Sequence, residues 1–428
     1  MARKRTPRRI STRTSRVADI ADATDQTGPA RTPMIITFKP KEKRRDKTDK
    51  VEIVQDALSA PVEFFSATDF TAQTGGIPTG LAPQDVGLDV NLYEAPIVAV
   101  SLTNSEITTL RNNPNVAMIE EDGLCYALPN GLAFEGQPTL LAETVPVGVQ
   151  QVKAPPAWGC SRGRGIKVAV LDTGIDWTHP DLAANVKGAV SFVPGQTAMD
   201  GNSHGTHCAG TIAAAANGSG VVGVAPEAWL YAVKVLSNSG QGQWSWLISG
   251  LSWCVQNKIQ IASMSLGGGG APAALETMCN AAFKSGVLLV AAAGNSGPGM
   301  NTVGVPGKYK NVIAVSAIDS ANVIAAFSSR GPEVELSAPG VQILSTIPGG
   351  GFGVKSGTSM ACPHVSGGAA VVWGAHRFAS NVQIWNLLAS AADNLGPPGW
   401  DPLYGYGRLD VDQASLAMVP SPAVPLKP

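Results

Sequence analysis

The chain has 428 residues, room for two or three domains or for one large α/β domain beside a small one. With 44% apolar and 15% charged residues it can build a large core, which excludes a mainly disordered chain, and its 48 glycines and 31 prolines follow no G-X-Y period, which excludes collagen. The net charge of −1 hides a basic arm (15 Lys+Arg against 6 Asp+Glu in residues 1–50) on an acidic remainder (16 against 26), which is not the footprint of a nucleic-acid-binding fold.

Residues 1–32 read as a disordered basic arm. They have the charge of a secretion signal but no apolar stretch behind it, so no signal peptide is visible. No apolar run approaches the ~18 residues of a membrane helix; the longest, Val287 to Ala293, has seven. No membrane partner is expected. None of the six cysteines forms a CxxC pair, and they read as mostly buried thiols.

Residues 33–128 read as a small α+β unit. Strands are predicted at MIITF (34–38), APIVAVSL (95–102) and NVAMIEED (115–122), with helices in 50–58 and 105–113 and Ser105 near the cap of the second. KPKEKRRDKTDK (39–50) reads as a solvated loop, and residues 129–144 as a linker.

From about 145 the pattern changes. IKVAVLD (166–172), WLYAVKVL (229–236), IASMSL (261–266), VLLVAAAGN (287–295) and NVIAVSAID (311–319) are apolar runs between helical stretches. Such runs are strands buried on both faces, in a mostly parallel sheet with helices on either side. Working residues gather at the carboxyl ends of such strands. The chain ends in a Pro-rich tail, 416–428.

Three segments carry chemistry. In VAVLDTGIDWTHPDL (168–182), Asp172 closes a buried strand, where a carboxylate is costly without a hydrogen-bond partner. In DGNSHGTHCAGTIAAAA (200–216), His204 opens a helix of small residues; with His207 it has metal-ligand spacing, but no HExxH accompanies it. In KSGTSMACPHVSGGAAVVWGA (355–375), Ser359 sits where a Gly-flanked loop turns into an apolar helix, with Pro363 expected in the first turn. Each alone reads as an ordinary cap, turn or core residue. Together they supply a nucleophile, a base and an orienting acid. The order Asp, His, Ser differs from that of chymotrypsin and of the α/β-hydrolases.

DTGID, HGTHCAGT and GTSMACPHVSG resemble the three motifs of the subtilisin-like serine proteases, and the resemblance runs from about Val145 to Asp410. It implies a three-layer α/β fold over 145–415 and a serine endopeptidase acting on protein or peptide substrates. Asp172 would orient the imidazole, His204 would be general base and acid, and Ser359 the nucleophile; His207 would be structural. Asn295 would supply an oxyanion donor beside the Ser359 N–H. Ser265, Leu266 and Gly267 would line the S1 wall and Gly304 its floor, which implies large apolar or aromatic P1 residues. Trp244 and Leu247 would shape S4. A structural calcium site is implied at Asp181, Asn217, Glu143 and the carbonyls of Ala215, Ser219 and Val221.

Residues 33–128 resemble the family's ferredoxin-like inhibitory propeptide, most clearly in NVAMIEEDGLCYAL (115–128). That implies a self-processing zymogen cut after Leu128 or Leu141, with its own propeptide as intramolecular inhibitor. A monomer is expected. The resemblance favours an extracellular enzyme; the missing signal favours the cytoplasm. Rival readings are a protease dedicated to maturing one partner, a non-catalytic peptide-binding module, and a nucleic-acid binder acting through the arm.

Overall fold

The computed structural model describes residues 30–43, 48–71, 85–92, 95–128 and 142–420. Most of the expected basic arm, linker and tail lies outside these residues. From Arg31 onward the chain forms one compact unit.

The first elements are β1 (Thr32–Phe38), α1 (Lys50–Ala57), β2 (Glu63–Ser66), β3 (Val86–Leu92), β4 (Ala95–Leu102), α2 (Asn104–Arg111) and β5 (Val116–Glu121). They build a five-stranded sheet of order β2-β3-β4-β1-β5, antiparallel except for β2 beside β3. This is the expected ferredoxin-like unit with β2 added at one edge. The cap of α2 is Thr103, not Ser105: its hydroxyl accepts from Glu106 N while the Glu106 carboxylate accepts from Thr103 N, a reciprocal capping box.

Residues of β1 and β4 alternate between two cores. Met34, Ile36, Phe38, Val98 and Val100 pack in one cluster with Ile53, Val54, Ile107 and Leu110 of the two helices. Ile35, Ile97 and Ala99 face the other way and join the core of the larger body. The sheet therefore has an apolar face that its own helices leave bare and that the rest of the chain covers.

The larger body begins after β6 (Leu124–Ala127), with short helices α3 (Val147–Gln151) and α4 (Ala154–Ala157). It continues through β7 (Lys167–Asp172), β8 (Val186–Ser191), α5 (His204–Ala213), β9 (Trp229–Lys234), β10 (Gln241–Gln243), α6 (Trp244–Gln256), β11 (Ile261–Met264), β12 (Leu266–Gly268), α7 (Ala273–Lys284), β13 (Leu288–Ala292) and β14 (Ile313–Ile318). Then come β15 (Val334–Pro339), the hairpin β16 (Ile343–Ile347) and β17 (Gly351–Lys355), α8 (Thr358–Ala375), α9 (Asn381–Ser390) and α10 (Val411–Leu416). Seven strands form one parallel sheet of order β15-β14-β13-β11-β7-β9-β8. The three-layer α/β architecture expected from the apolar runs is present.

Helix α8 is buried on every side from Thr358 to Trp373, the pattern of a core helix rather than an amphipathic one. Its glycines allow close packing: a Cβ on Gly367 would lie 2.7 Å from Val224 Cβ, and one on Gly368 2.8 Å from Leu409 Cδ2. Pro363 stands inside this helix, not in its first turn. It cannot donate to the Ser359 carbonyl one turn back. That carbonyl instead accepts from Ser265 Oγ at 2.8 Å and from Cys208 Sγ at 3.5 Å.

The two sheets meet through helix termini as well as through the shared core. The Glu120 carboxylate accepts from Ala273 N and Ala274 N at 2.9 and 3.0 Å, at the start of α7. Asp122 accepts from Ser245 N at 3.0 Å, at the start of α6. Carboxylates at helix N-termini satisfy orphan N–H groups and meet the favourable end of the dipole. Burial nonetheless pushes the Asp122 carboxyl up to about 6, against the hydrogen bonds from Ser245 and Trp244. Farther along, Phe70 packs on Phe192 with ring centroids 4.8 Å apart, and Ser191 N donates to Thr71 O at 3.2 Å.

Candidate active site

Asp172 ends β7 and is fully buried; His204 opens α5 and is 2% exposed. The imidazole Nδ1 lies 2.8 and 3.0 Å from the two Asp172 oxygens. Oδ1 also accepts from Thr173 N at 2.7 Å, so the buried carboxylate has its partners. His204 Nε2 is buried with no hydrogen-bond partner. The close approach of α5 to β7 requires Gly205, where a Cβ would come within 2.1 Å of Gly174 O and 3.2 Å of Asp172 Cβ.

Ser359 is the second residue of α8 and fully buried. Its hydroxyl donates to Ser265 O at 3.1 Å rather than to an imidazole nitrogen. Cys208 sits between the two centres, its Sγ 3.5 Å from Ser359 O and 4.0 Å from His204 Nδ1. The Cys208 thiol is pushed well up by burial and by the Asp172 charge, so it stays neutral and is a poor metal ligand.

His207 is not paired with His204. Its Nε2 donates to Ile343 O at 2.9 Å and Gly353 O at 3.2 Å, which ties α5 to the β16–β17 hairpin. Asn295 follows β13, and its Oδ1 accepts from Thr358 N at 3.0 Å and Thr358 Oγ1 at 2.8 Å. That fixes the amide beside the residue preceding Ser359 and turns its N–H₂ end the other way.

Strand β6 lies between β10 and β12 as the middle of a three-stranded antiparallel sheet. Cys125 faces Gly242 and Gly268, Tyr126 faces Gln241 and Gly267, and Ala127 faces Leu266. The next residue, Leu128, borders a cavity of about 600 Å³ that Gly267, Gly304, Thr302 and Asn295 also line. A Cβ on Gly267 would come within 3.2 Å of Leu128 Cδ2, so the glycine makes room for that side chain. Trp244 and Leu247 are buried at the start of α6, and Trp244 lies near Cys125: a Cβ on Gly268 would sit 2.7 Å from Trp244 Cζ2 and 3.1 Å from Cys125 Cα. Of the segment expected as the S1 wall, Gly267 borders the cavity, Leu266 pairs with the inserted strand, and Ser265 bonds Ser359.

The residues expected to hold calcium converge on one loop. Asp181 accepts from Val221 N at 2.9 Å and Asn217 Nδ2 at 3.0 Å, and Glu143 accepts from Gly218 N at 2.6 Å. Ala215 N donates to Asp181 O at 2.7 Å, and Thr144 bridges to Val221. Gly220, at φ +67°, wraps so closely that a Cβ would lie 2.1 Å from Asp181 Oδ2. Carboxylate, amide and carbonyl oxygens are the donor set of a hard cation.

Sequence reasoning passed over Asp200. Its carboxylate accepts from Asn202 N, Ser203 N and Thr206 N at 2.8–3.0 Å and from Thr173 Oγ1 at 2.9 Å, so it caps α5 and locks it to β7. An acidic residue four positions before the helix start was the available signal. The buried Lys234 was also missed. It donates to Thr173 O and to Asn238 Oδ1, and burial lowers it to about 8 against the pull of Asp200 and Asp172.

A sequence profile described as the subtilase family matches residues 163–407. The chain belongs to the subtilase family. It is 45% identical to subtilisin E of Bacillus subtilis (strain 168) over 322 residues, 74% of this chain and 80% of the relative. It is 49% identical to a subtilisin of Bacillus pumilus over 279 residues, 64% of this chain and all of the relative. With an alkaline protease of Shouchella clausii it shares 42% identity over 367 residues, 84% and 89% of the two chains. This subtilase is a serine endopeptidase, so its substrates are proteins. Among the described residues no helix is long and apolar enough to cross a membrane.

Two buried histidines contribute to its sensitivity to acid. His207 is lowered to about 3 by burial and then by the Lys355 ammonium, and His364 to about 4 by burial. Unfolded, both bind protons below about pH 6.5. The unfolded state then holds more protons than the native one, so stability is full above that pH and is lost as the pH falls toward 4 and 3. Thermal unfolding of the Ser359→Ala protein should show a midpoint that drops steadily from pH 7 to pH 4. A flat midpoint over that range would contradict neutral burial of these rings.

Proposed function

We propose that this subtilase is made as a self-processing precursor and cleaves peptide bonds through an acyl-enzyme on Ser359. The observation that carries the reading is the buried Asp172–His204 pair, with His204 Nε2 left without a partner and Cys208 in contact with both His204 and the Ser359 carbonyl. Rotation of the Ser359 hydroxyl from Ser265 O to Nε2 would give the serine its base; such bonds often tighten only when substrate is bound. Ser359 Oγ attacks the scissile carbonyl as its proton passes to His204. The imidazolium, held by Asp172, returns that proton to the departing amine. The Ser359 N–H and the Asn295 amide N–H₂ would receive the oxyanion. Water then cleaves the ester by the same proton path.

Residues 33–128 act as the intramolecular inhibitor in this reading. In support, β6 occupies the groove between β10 and β12 by main-chain pairing, which any extended peptide can imitate. Leu128 beside the large cavity supports a P1 preference for big apolar residues, and buried Cys125 near Trp244 supports an apolar S4. Leu128 precedes Pro129, whose nitrogen is tertiary and ring-closed, a poor leaving amine for such a site. We therefore assign processing to the bond after Leu141. Calcium would be held by Asp181, Asn217, Glu143 and the loop carbonyls of Ala215, Ser219 and Val221. There it would brace the loop against the segment beginning at Ala142.

Intact-mass analysis tests the first part. The wild type should yield a fragment beginning at Ala142 and react with a fluorophosphonate at Ser359, while Ser359→Ala should stay full length and unlabelled. Processing or labelling that survives in Ser359→Ala would refute the assignment, and a fragment beginning at Pro129 would overturn the choice of bond.

A chelator tests the second. EDTA should lower the thermal midpoint of Ser359→Ala, calcium should restore it, and Asp181→Ala should remove both effects. A midpoint indifferent to EDTA and calcium would end the calcium proposal.

A further inference from the structure

Lys355 closes β17, four residues before Ser359. A solvated surface loop would be the ordinary place for a lysine. Here the side chain folds inward, is half-buried, and donates to Ser203 Oγ at 2.7 Å. Ser203 immediately precedes His204 and holds a left-handed backbone, φ 90°. Its hydroxyl makes no cap bond to α5, because Asp200 caps that helix instead. The Ser203 side chain is thus left to hold the ammonium beside the start of α5, the helix that His204 opens.

The charge is poorly compensated there. Among the described residues Lys355 forms no ion pair. The N-terminus of α5, next to it, presents the positive end of a helix dipole. Burial lowers its pKa, opposed by the charges of Asp200 and Asp172. Both carboxylates are already committed, Asp172 to His204 and Thr173, and Asp200 to the α5 amides. A cation placed against a helix dipole, without a carboxylate of its own, is a structural liability unless something arrives to neutralise it.

Its position says what arrives. The residues before the scissile bond follow β6, between β10 and β12, as far as the cavity beside Leu128. The residues after the bond leave past the imidazole that protonates their amine, and Ser203, which holds Lys355, is the chain neighbour of that histidine. We propose that Lys355 is a specificity-determining residue that selects substrates with an Asp or Glu one or two positions after the scissile bond. This rests on the reading of Ser359 as nucleophile and His204 as base. The chain's own Leu141-Ala142-Glu143 has a carboxylate at the second such position.

Two peptides with the sequence around Leu141 test it, one with Glu and one with Gln at the second position after the bond, with the cut located by mass spectrometry. In the processed wild type, kcat/KM should favour Glu by roughly five- to tenfold, as for a partly desolvated ion pair. The preference should shrink as salt is raised, vanish in Lys355→Met and persist in Lys355→Arg. Equal rates in the wild type, or a preference that survives Lys355→Met, would overturn the proposal and confine Lys355 to propping Ser203. Failure to cut either peptide would instead count against the acyl-enzyme reading.

Discussion

The hydrogen bond between Asp172 and His204 is the constraint on which the rest of the molecule depends. Both groups are out of water, and a carboxylate there is tolerable only when its oxygens are satisfied. The chain meets this by ending β7 at Asp172, starting α5 at His204 and allowing no side chain at Gly205 between them. Asp200 then fastens the helix start to Thr173, the neighbour of Asp172. The pair is thus held by two elements locked to each other, and the imidazole has one nitrogen oriented and the other left without a partner.

Burial of α8 brings the third member. A helix apolar on all sides must run through the core, and its first turn then opens at the carboxyl ends of the central parallel strands. Pro363 deprives the Ser359 carbonyl of its helical partner, and Ser265 and Cys208 replace it. Ser359 is therefore tied to β11–β12 and to α5 through its own backbone. The amino-terminal sheet uses the same geography from outside: β6, the strand that follows it in the chain, fills the groove, and Glu120 and Asp122 cap the two helices beneath it.

Much of this was legible in the residues. The continuous apolar runs marked β7, β9, β11, β13 and β14, because a strand covered on both faces has no polar alternation to lose. The motifs around Asp172, His204 and Ser359 marked the candidate site because the first ends such a strand and the other two open buried helices. Other features were hidden for physical reasons. The strands β16 and β17 are short, and β17 is rich in glycine, so neither has a periodicity to detect. The double burial of β4 depends on a partner surface distant in sequence, since Val98 and Ala99 belong to different cores. The cap at Thr103, two residues before Ser105, was passed over although Thr103-x-x-Glu106 has the capping-box spacing. Nothing in the sequence singles out Lys355, and only its contact with Ser203 distinguishes it.

The most direct test of the central claim is proton NMR of the Ser359→Ala protein, read in the far-downfield region where a shielded imidazole N–H donating to a carboxylate resonates. The account predicts an exchange-protected signal from His204 Nδ1–H that is lost in Asp172→Ala while the remaining spectrum stays folded. Absence of that signal, or its persistence without the Asp172 carboxylate, would contradict it.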